Sequence, residues 1–272
     1  MDHVLSERYE TPHGTVHWAR RGRGSPVVLL HGTPFSSYVW RDIAAALSTR
    51  HTVYLWDMPG YGSSAKYEGQ DVSLGAQQSV FTALLAHWGL DRPAVIAHDF
   101  GGAVALRSAL LDGARYDRLA LIDAVSLRPW GSEFFRLVNQ NAEVFAALPA
   151  HLHEALVRSY IATASHPGLR ADVLGALVAP WLGEEGQPAF YRQIAQADER
   201  FTAEVEERYT ELACPVLVAW GSEDSWLSPD HAARLAERIP QARLRWVEGA
   251  GHLVQEDAPA RVTALITDFL TE

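Results

Sequence analysis

The stretch VIAHDFGGAVAL, Val95 to Leu106, decides the fold. An apolar run stops at His98–Asp99, glycines follow, and an apolar pattern of helical spacing begins at once. A strand that passes straight into a helix brings the two elements into close contact, so the turn needs small flanking residues. Ala97, Gly101 and Gly102 supply them. Asp99 sits at the tip, where many hydrolases place a serine in the pattern G-x-S-x-G, which occurs nowhere in this chain. Taken alone, Asp99 also suits the plainer role of helix N-cap.

Outward from this turn, short runs rich in Val, Ile and Leu recur: PVVLLHG (26–32), TVYLWDM (52–58), AVIAHD (94–99), LALIDA (119–124), PVLVAWG (215–221) and ARLRWVEG (242–249). Near-continuous apolar runs are the mark of strands covered on both faces. Helical stretches such as WRDIAAALS, SLGAQQSVFTALLAHWG and GGAVALRSALLDG alternate with them. Ahead of these, SERYETPH and GTVHWARRG read as an antiparallel edge hairpin. The expected class is therefore α/β, a mostly parallel eight-stranded sheet with helices on both faces. The alternation fails over 127–208, which has helical periodicity and many aromatics. That segment is expected to be a helical cap over the C-terminal strand ends, where ligands bind in open α/β sheets. The expected organisation is core 1–126, cap 127–208 and core again 209–272. Ser228 is expected to cap a helix with Pro229 at its first position. The basic ARRGRG (19–24) reads as a solvated turn.

Bulk properties narrow the function. The chain has 272 residues, 48% of them hydrophobic, and nine Trp, enough for a sizeable core. A formal net charge of −10 argues against a nucleic-acid partner. With one cysteine, Cys214, there is no internal disulfide and no paired-Cys metal site. HLH (151–153) has no evident third ligand, so no metal and no cofactor is expected. No apolar run has membrane-helix length and no basic-then-apolar leader opens the chain, so neither membrane association nor secretion is expected and a cytoplasmic location is. The partners expected are a small apolar substrate and water. A homodimer is admissible and unspecified.

Two further sites carry chemistry. WGSED places Asp224 just past a strand end, and EGAGHLVQEDAP places His252 in a Gly-flanked turn after the last strand. Nucleophile, acid and base thus follow in the order Asp99, Asp224, His252. The turn after VVLL carries His31, Gly32, Thr33 and Pro34.

With HGTP, AHDFGG, GSED and the Gly-flanked histidine, the chain resembles an α/β-hydrolase over essentially its full length. Within that fold it is similar to the aspartate-nucleophile branch: epoxide hydrolases, haloalkane dehalogenases and fluoroacetate dehalogenases. The resemblance implies an oxyanion hole formed by the N–H groups of Thr33 and Phe100, with His31 in support. Such donors lower a barrier by roughly 3 kcal/mol each. It also implies attack by Asp99 on a saturated carbon, a covalent alkyl ester, and hydrolysis by water that His252 and Asp224 activate. An aspartate suits this because it is an anion at neutral pH.

The leaving group separates the members. Haloalkane dehalogenases hold the halide with a Trp after the nucleophile, often helped by an Asn in the HG loop. Phe100 and Thr33 occupy those places here. Fluoroacetate dehalogenases grip a carboxylate with an arginine soon after the nucleophile, and Arg107 lies too far along its helix. AFYRQIAQAD (189–198) resembles the end of the epoxide-hydrolase cap and puts Tyr191 where a lid tyrosine stands, with Tyr160 as candidate for the second. Trp130, Trp181 and Trp226 are candidate pocket walls for an apolar or aromatic substrate. Asp123, which ends LALID, is the rival to Asp224 as triad acid. The favoured expectation is an epoxide hydrolase. A haloalkane or haloacid dehalogenase with atypical halide donors is the alternative. A non-catalytic ligand-binding protein on the same fold is the alternative of another class.

Overall fold

The computed structural model describes residues 4–272. Its strands are β1 (Glu7–Thr11), β2 (Gly14–Gly22), β3 (Pro26–Leu30), β4 (Thr52–Trp56), β5 (Ala94–His98), β6 (Arg118–Ile122), β7 (Val216–Gly221) and β8 (Arg243–Val247). They form one sheet in the order β1-β2-β4-β3-β5-β6-β7-β8. β2 pairs antiparallel with β1 and β4, and every other pairing is parallel. The inner strands β3 to β7 are buried along almost their whole length, which is why their sequences are apolar without alternation. β8 differs: Arg243 and Arg245 are exposed between half-buried Leu244 and Trp246, as befits a sheet edge.

Helices α1 (Arg41–Leu47), α2 (Leu74–His87) and α3 (Phe100–Leu111) belong to the first part of the chain. The last part supplies α10 (Asp230–Arg238), α11 (Val254–Asp257) and α12 (Pro259–Thr271). They cover both faces of the sheet, α2 packing on α3 and α1 on α12. The start of α2 is set chemically: Ser73 Oγ accepts from Ala76 N–H at 3.3 Å. Fully buried Trp40, Trp56 and Trp220 mark the core.

Between β6 and β7 lie six helices: α4 (Glu133–Gln140), α5 (Ala142–Ala146), α6 (Ala150–Ala162), α7 (Ala171–Val178), α8 (Gly183–Ala195) and α9 (Arg200–Ala203). α8 is their hub, packing on α4, α5 and α6. Specific bonds tie these helices to the core. Gln196 accepts from Val72 N–H at 2.7 Å, and Trp181 Nε1–H donates to Pro34 O at 2.7 Å. Buried Arg107 donates to Gln78, to Phe201 O and to Glu204, so it points away from the Asp99 turn. Two local expectations change. Helix α10 starts one residue late, at Asp230, with Pro229 at the cap position, and Ser228 Oγ accepts from Asp230 N–H at 3.4 Å. Residues 19–22 of the basic ARRGRG are the end of β2, held against β4, so only its last residues turn.

Candidate active site

β5 passes into α3 through a single residue, Asp99, with φ 50° and ψ −120°. A residue with a Cβ rarely adopts this conformation, and the surroundings must hold it. Asp99 N–H donates to Ile122 O at 3.2 Å, while Asp99 O accepts from Gly102 N–H at 2.9 Å and Val125 N–H at 3.1 Å. The glycines are there for closeness. A Cβ on Gly32 would lie 2.3 Å from Asp99 Cβ, and one on Gly102 would lie 2.5 Å from Ala124 Cβ.

The Asp99 side chain makes no capping bond to α3. Its Oδ1 accepts the Thr33 N–H at 2.6 Å. Phe100 is the first residue of α3, so its N–H belongs to the helix-end donors that lack an intrahelical acceptor. Asp99 Oδ2 stands 3.5 Å from His252 Nε2, long for a hydrogen bond but close for charges. His252 Nδ1–H donates to Asp224 Oδ2 at 2.9 Å. Asp224 Oδ1 accepts the N–H groups of Trp226 (2.8 Å) and Leu227 (3.0 Å). The loop ahead of α10 thus points its own donors at Asp224 and fixes it. All three side chains are buried. Burial opposes charge on His252, but Asp224 and Asp99 outweigh it and raise its pKa well above the usual imidazole range. Burial likewise opposes charge on Asp224, and the His252 partner, helped by the backbone donors, holds it lower than a free carboxyl.

Supporting histidines stay neutral. Met58 N–H donates to His31 Nε2 at 2.9 Å, which leaves the proton on Nδ1 to donate to Gly32 O at 2.9 Å. Burial lowers the pKa of His31. His98 Nε2–H donates to His252 O at 2.9 Å, and burial with the neighbouring His252 pushes His98 down to about 4. Asp123 is fully buried at the end of β6, its Oδ1 accepting Gly221 N–H at 2.8 Å. Carboxylate oxygens of Asp123 and Asp224 and a nitrogen of His252 fall within 4.8 Å of one another. The 2.9 Å His252–Asp224 contact has hydrogen-bond length.

Above Asp99 is a cavity of about 30 Å³ lined by Thr33, Phe100, Trp130, Phe135, Tyr160 and Trp226, with Val125, Gly131, Ser132 and Leu227 completing it. That volume holds about one water molecule. Tyr160 stacks on Trp226 with centroids 4.4 Å apart. Burial and the Asp99 charge push its hydroxyl pKa upward, against an opposing hydrogen bond with Ser132. Both indole N–H groups in the wall are engaged, Trp130 with Thr202 Oγ1 at 3.0 Å and Trp226 with Thr163 Oγ1 at 2.9 Å.

The structure brings Asp99, Asp224, His252, Thr33, Phe100, Tyr160, Trp130 and Trp226 to one place, with Asp123 beside the Asp224–His252 pair. It does not bring Tyr191 or Trp181 there. Tyr191 is buried inside the cap, its OH donating to His153 Nδ1 at 2.8 Å. Trp181 is equally buried and donates to Pro34 O. His153 is satisfied by Tyr191 and by Trp181 O at 2.8 Å. Four residues were missed by sequence reasoning, and the first is Gln193 of α8, whose Oε1 accepts the hydroxyls of Thr33 (2.5 Å) and Tyr61 (3.1 Å). Its signal was available. At about 100° per residue, positions 191 and 193 lie about 200° apart on a helix, so only one of them can face the Thr33 loop. Ser132, Phe135 and His98 had no such signal.

Comparison with known proteins gives the fold a family. Residues 27–265 match the model of the alpha/beta hydrolase family. The chain is 46% identical to a crystallised alpha/beta hydrolase fold protein from Burkholderia ambifaria, with a TM-score of 0.95 over 97% of this chain and 98% of that one. It is 26% identical to haloalkane dehalogenase 2 of Mycobacterium tuberculosis, over 97% of this chain and 94% of the relative. It is 25% identical to a cis-3-alkyl-4-alkyloxetan-2-one decarboxylase of Shewanella oneidensis, over 94% of this chain and 85% of the relative. The sheet order and the match across residues 27–265 give one assignment: the chain belongs to the alpha/beta hydrolase family.

Proposed function

We propose that the protein is a cofactor-independent hydrolase in which Asp99 attacks a saturated carbon, and that its substrate is an apolar or aromatic epoxide. One observation carries this reading: a carboxylate occupies the strained turn, with Oδ1 on the Thr33 N–H and Oδ2 toward His252. In the first step Oδ2 bonds to an epoxide carbon, the ring C–O bond breaks, and the alkoxide takes the Tyr160 proton. The result is a hydroxyalkyl ester of Asp99, and the His252 proton passes to the Tyr160 oxygen, which restores the tyrosine and leaves a neutral imidazole. In the second step His252 removes a proton from water, which adds to Asp99 Cγ. Charge collects on Oδ1, facing the Thr33 and Phe100 N–H groups. The Cγ–Oδ2 bond then breaks, the departing oxygen takes the proton of the new Asp99 carboxyl and leaves in the diol, and His252 keeps the proton taken from water, which is its state in the free enzyme.

Electrostatics fits the two steps. In the free enzyme two carboxylates face His252 and favour its charged form. Esterification neutralises Asp99, leaving Asp224 alone, so the imidazole becomes easier to deprotonate when a base is needed. The wall favours an epoxide over a halide, because its indole N–H groups are committed to threonine hydroxyls while Tyr160, which carries a hydroxyl, lines the cavity. The cavity holds about one water, so any epoxide requires Trp130, Phe135 or Tyr160 to move.

The second reading is a dehalogenase, which the likeness to haloalkane dehalogenase 2 favours. A panel of short-chain epoxides and haloalkanes, assayed for diol and halide, decides between them. Halide release with no diol from any epoxide would overturn the first choice. A single turnover in heavy-oxygen water should label Asp99 and leave the product unlabelled. An unlabelled Asp99 after repeated turnovers would remove the covalent step from either reading.

A further inference from the structure

Asp123 and Asp224 stand side by side in the core, yet the fold treats them differently. Asp224 receives three donors: two backbone N–H groups on Oδ1 and the His252 ring on Oδ2. Asp123 receives one, the Gly221 N–H on Oδ1. Asp123 Oδ2 is buried and meets no donor among the described residues. A buried carboxylate oxygen without a donor is costly. Two carboxylates this close, sharing the single charge of His252, add repulsion to that cost. The backbone also insists on the arrangement, since Asp123 has φ 42°, a left-handed conformation unusual for a residue with a side chain. One proton removes both difficulties. It cancels one charge and turns the orphan oxygen into a donor, and the acceptor beside it is Asp224.

We propose that Asp123 is a neutral carboxylic acid whose Oδ2–H donates to Asp224, making it a positioning residue for the Asp224–His252 pair. This rests on the triad reading given above. The neighbours agree: burial first, then the Asp224 charge, push the Asp123 pKa well above the usual carboxyl range. The proton has two consequences. It gives Asp224 a further donor beside the His252 ring. It also spreads the Asp224 charge over a further donor, so that Asp224 holds the imidazolium less tightly and His252 can serve as a base. Asp123 would then be no rival of Asp224: one carboxyl is ionised, the other is not.

The test needs no substrate. Infrared difference spectra of the full chain, wild type minus Asp123→Asn, should show at neutral pH the carbonyl band of a protonated carboxylic acid. Absence of that band overturns the proposal. The second readout is the titration of His252 by NMR, a group faced by Asp224, Asp99, Asp123 and His98. Asparagine keeps an N–H donor toward Asp224 and a carbonyl for Gly221, so Asp123→Asn should leave the His252 pKa in place. Asp123→Leu, which removes the donor, should raise it by on the order of one pH unit. An ionised Asp123 gives the opposite sign: Asp123→Asn would remove a negative charge and lower the His252 pKa, and that result also overturns the proposal. If the leucine variant does not fold, the asparagine variant decides alone. Because neither measurement involves turnover, a failure to hydrolyse epoxides leaves this result unaffected.

Discussion

The turn at Asp99 and the cap above it face each other across a cavity that holds about one water, yet they are specified in different ways. At the turn, every position is over-determined. Asp99 has one strained conformation, held by three backbone bonds, and its neighbours touch so closely that a single methyl group would collide. In the cap, buried aromatics are interchangeable in kind. Trp130 and Trp226 face the cavity, while Tyr191, of the same character, faces the interior of the cap, and Trp181 reaches the Pro34 loop of the core. Chemistry is anchored by the region with no spare room, and selectivity is left to the region that has some.

If this contrast is right, the largest effect belongs to the turn. Asp99→Asn removes the nucleophile without changing its shape. Turnover should fall by on the order of 10⁴-fold or more, the scale of losing a residue that acts as part of a catalytic unit. The same variant removes one of the two charges that raise His252, so the imidazole should titrate lower than in the wild type. NMR of His252 checks the sign. Undiminished turnover in the Asp99→Asn variant would mean that the turn is not where bonds form.

The next effect tests closeness in place of charge. Gly32→Ala puts a methyl 2.3 Å from Asp99 Cβ and 2.4 Å from Oδ1, so either Asp99 or the Thr33 loop must shift. Misplacing the Thr33 donor should cost roughly 10²–10³-fold in kcat. Overpacking should cost about 1–3 kcal/mol of stability. A thermal melt alongside kcat separates the two. If both are unchanged, the turn is less crowded than the contrast requires.

Crossing to the cap, Tyr160→Phe keeps the ring that stacks on Trp226 and removes only the hydroxyl. With an epoxide substrate, kcat should fall about 10²-fold, the scale of losing a positioned proton donor. With a halide substrate it should scarcely change, because a departing halide needs no proton. The pair of measurements assigns the cap residue and the leaving group together.

Different amounts of the two regions were legible in the sequence. The five inner strands could be placed because two-sided burial writes unbroken apolar runs, as in Val27–Leu30 and Val216–Trp220. The Asp99 turn was visible because close contact demands glycine and alanine at fixed positions. Asp224 and His252 followed from their places just beyond strand ends. The start of α10 slipped by one residue because a Ser-Pro pair fits either register at a helix end. The cap was not legible in this way. Helical periodicity in 127–208 shows that a face is buried, and it does not say whether that face meets the cavity or another cap helix. Tyr191 was placed at the cavity by its resemblance to a lid tyrosine, while Gln193, two residues on, faces the Thr33 loop.

Tyr191 therefore gives the smallest effect and the sharpest form of the comparison. Its hydroxyl donates to His153, and His153 passes the bond on to Trp181 O, so the three residues pin α6, α8 and the turn before α8 together. Tyr191→Phe leaves His153 Nδ1 without a donor in a buried place. That should cost about 1 kcal/mol, the net worth of one such hydrogen bond, and lower Tm by about 2 °C in a chain of this size. The epoxide-opening step has no use for this hydroxyl, so kcat should stay within about threefold, less than ~0.7 kcal/mol of barrier. Side by side, Tyr160→Phe should lose rate, and Tyr191→Phe should lose stability without rate. Were Tyr191→Phe to lose rate as Tyr160→Phe does, the hydroxyl would have to leave His153 during turnover and reach the cavity. The cap would then be a moving part, and its interior could no longer be separated from the site it covers.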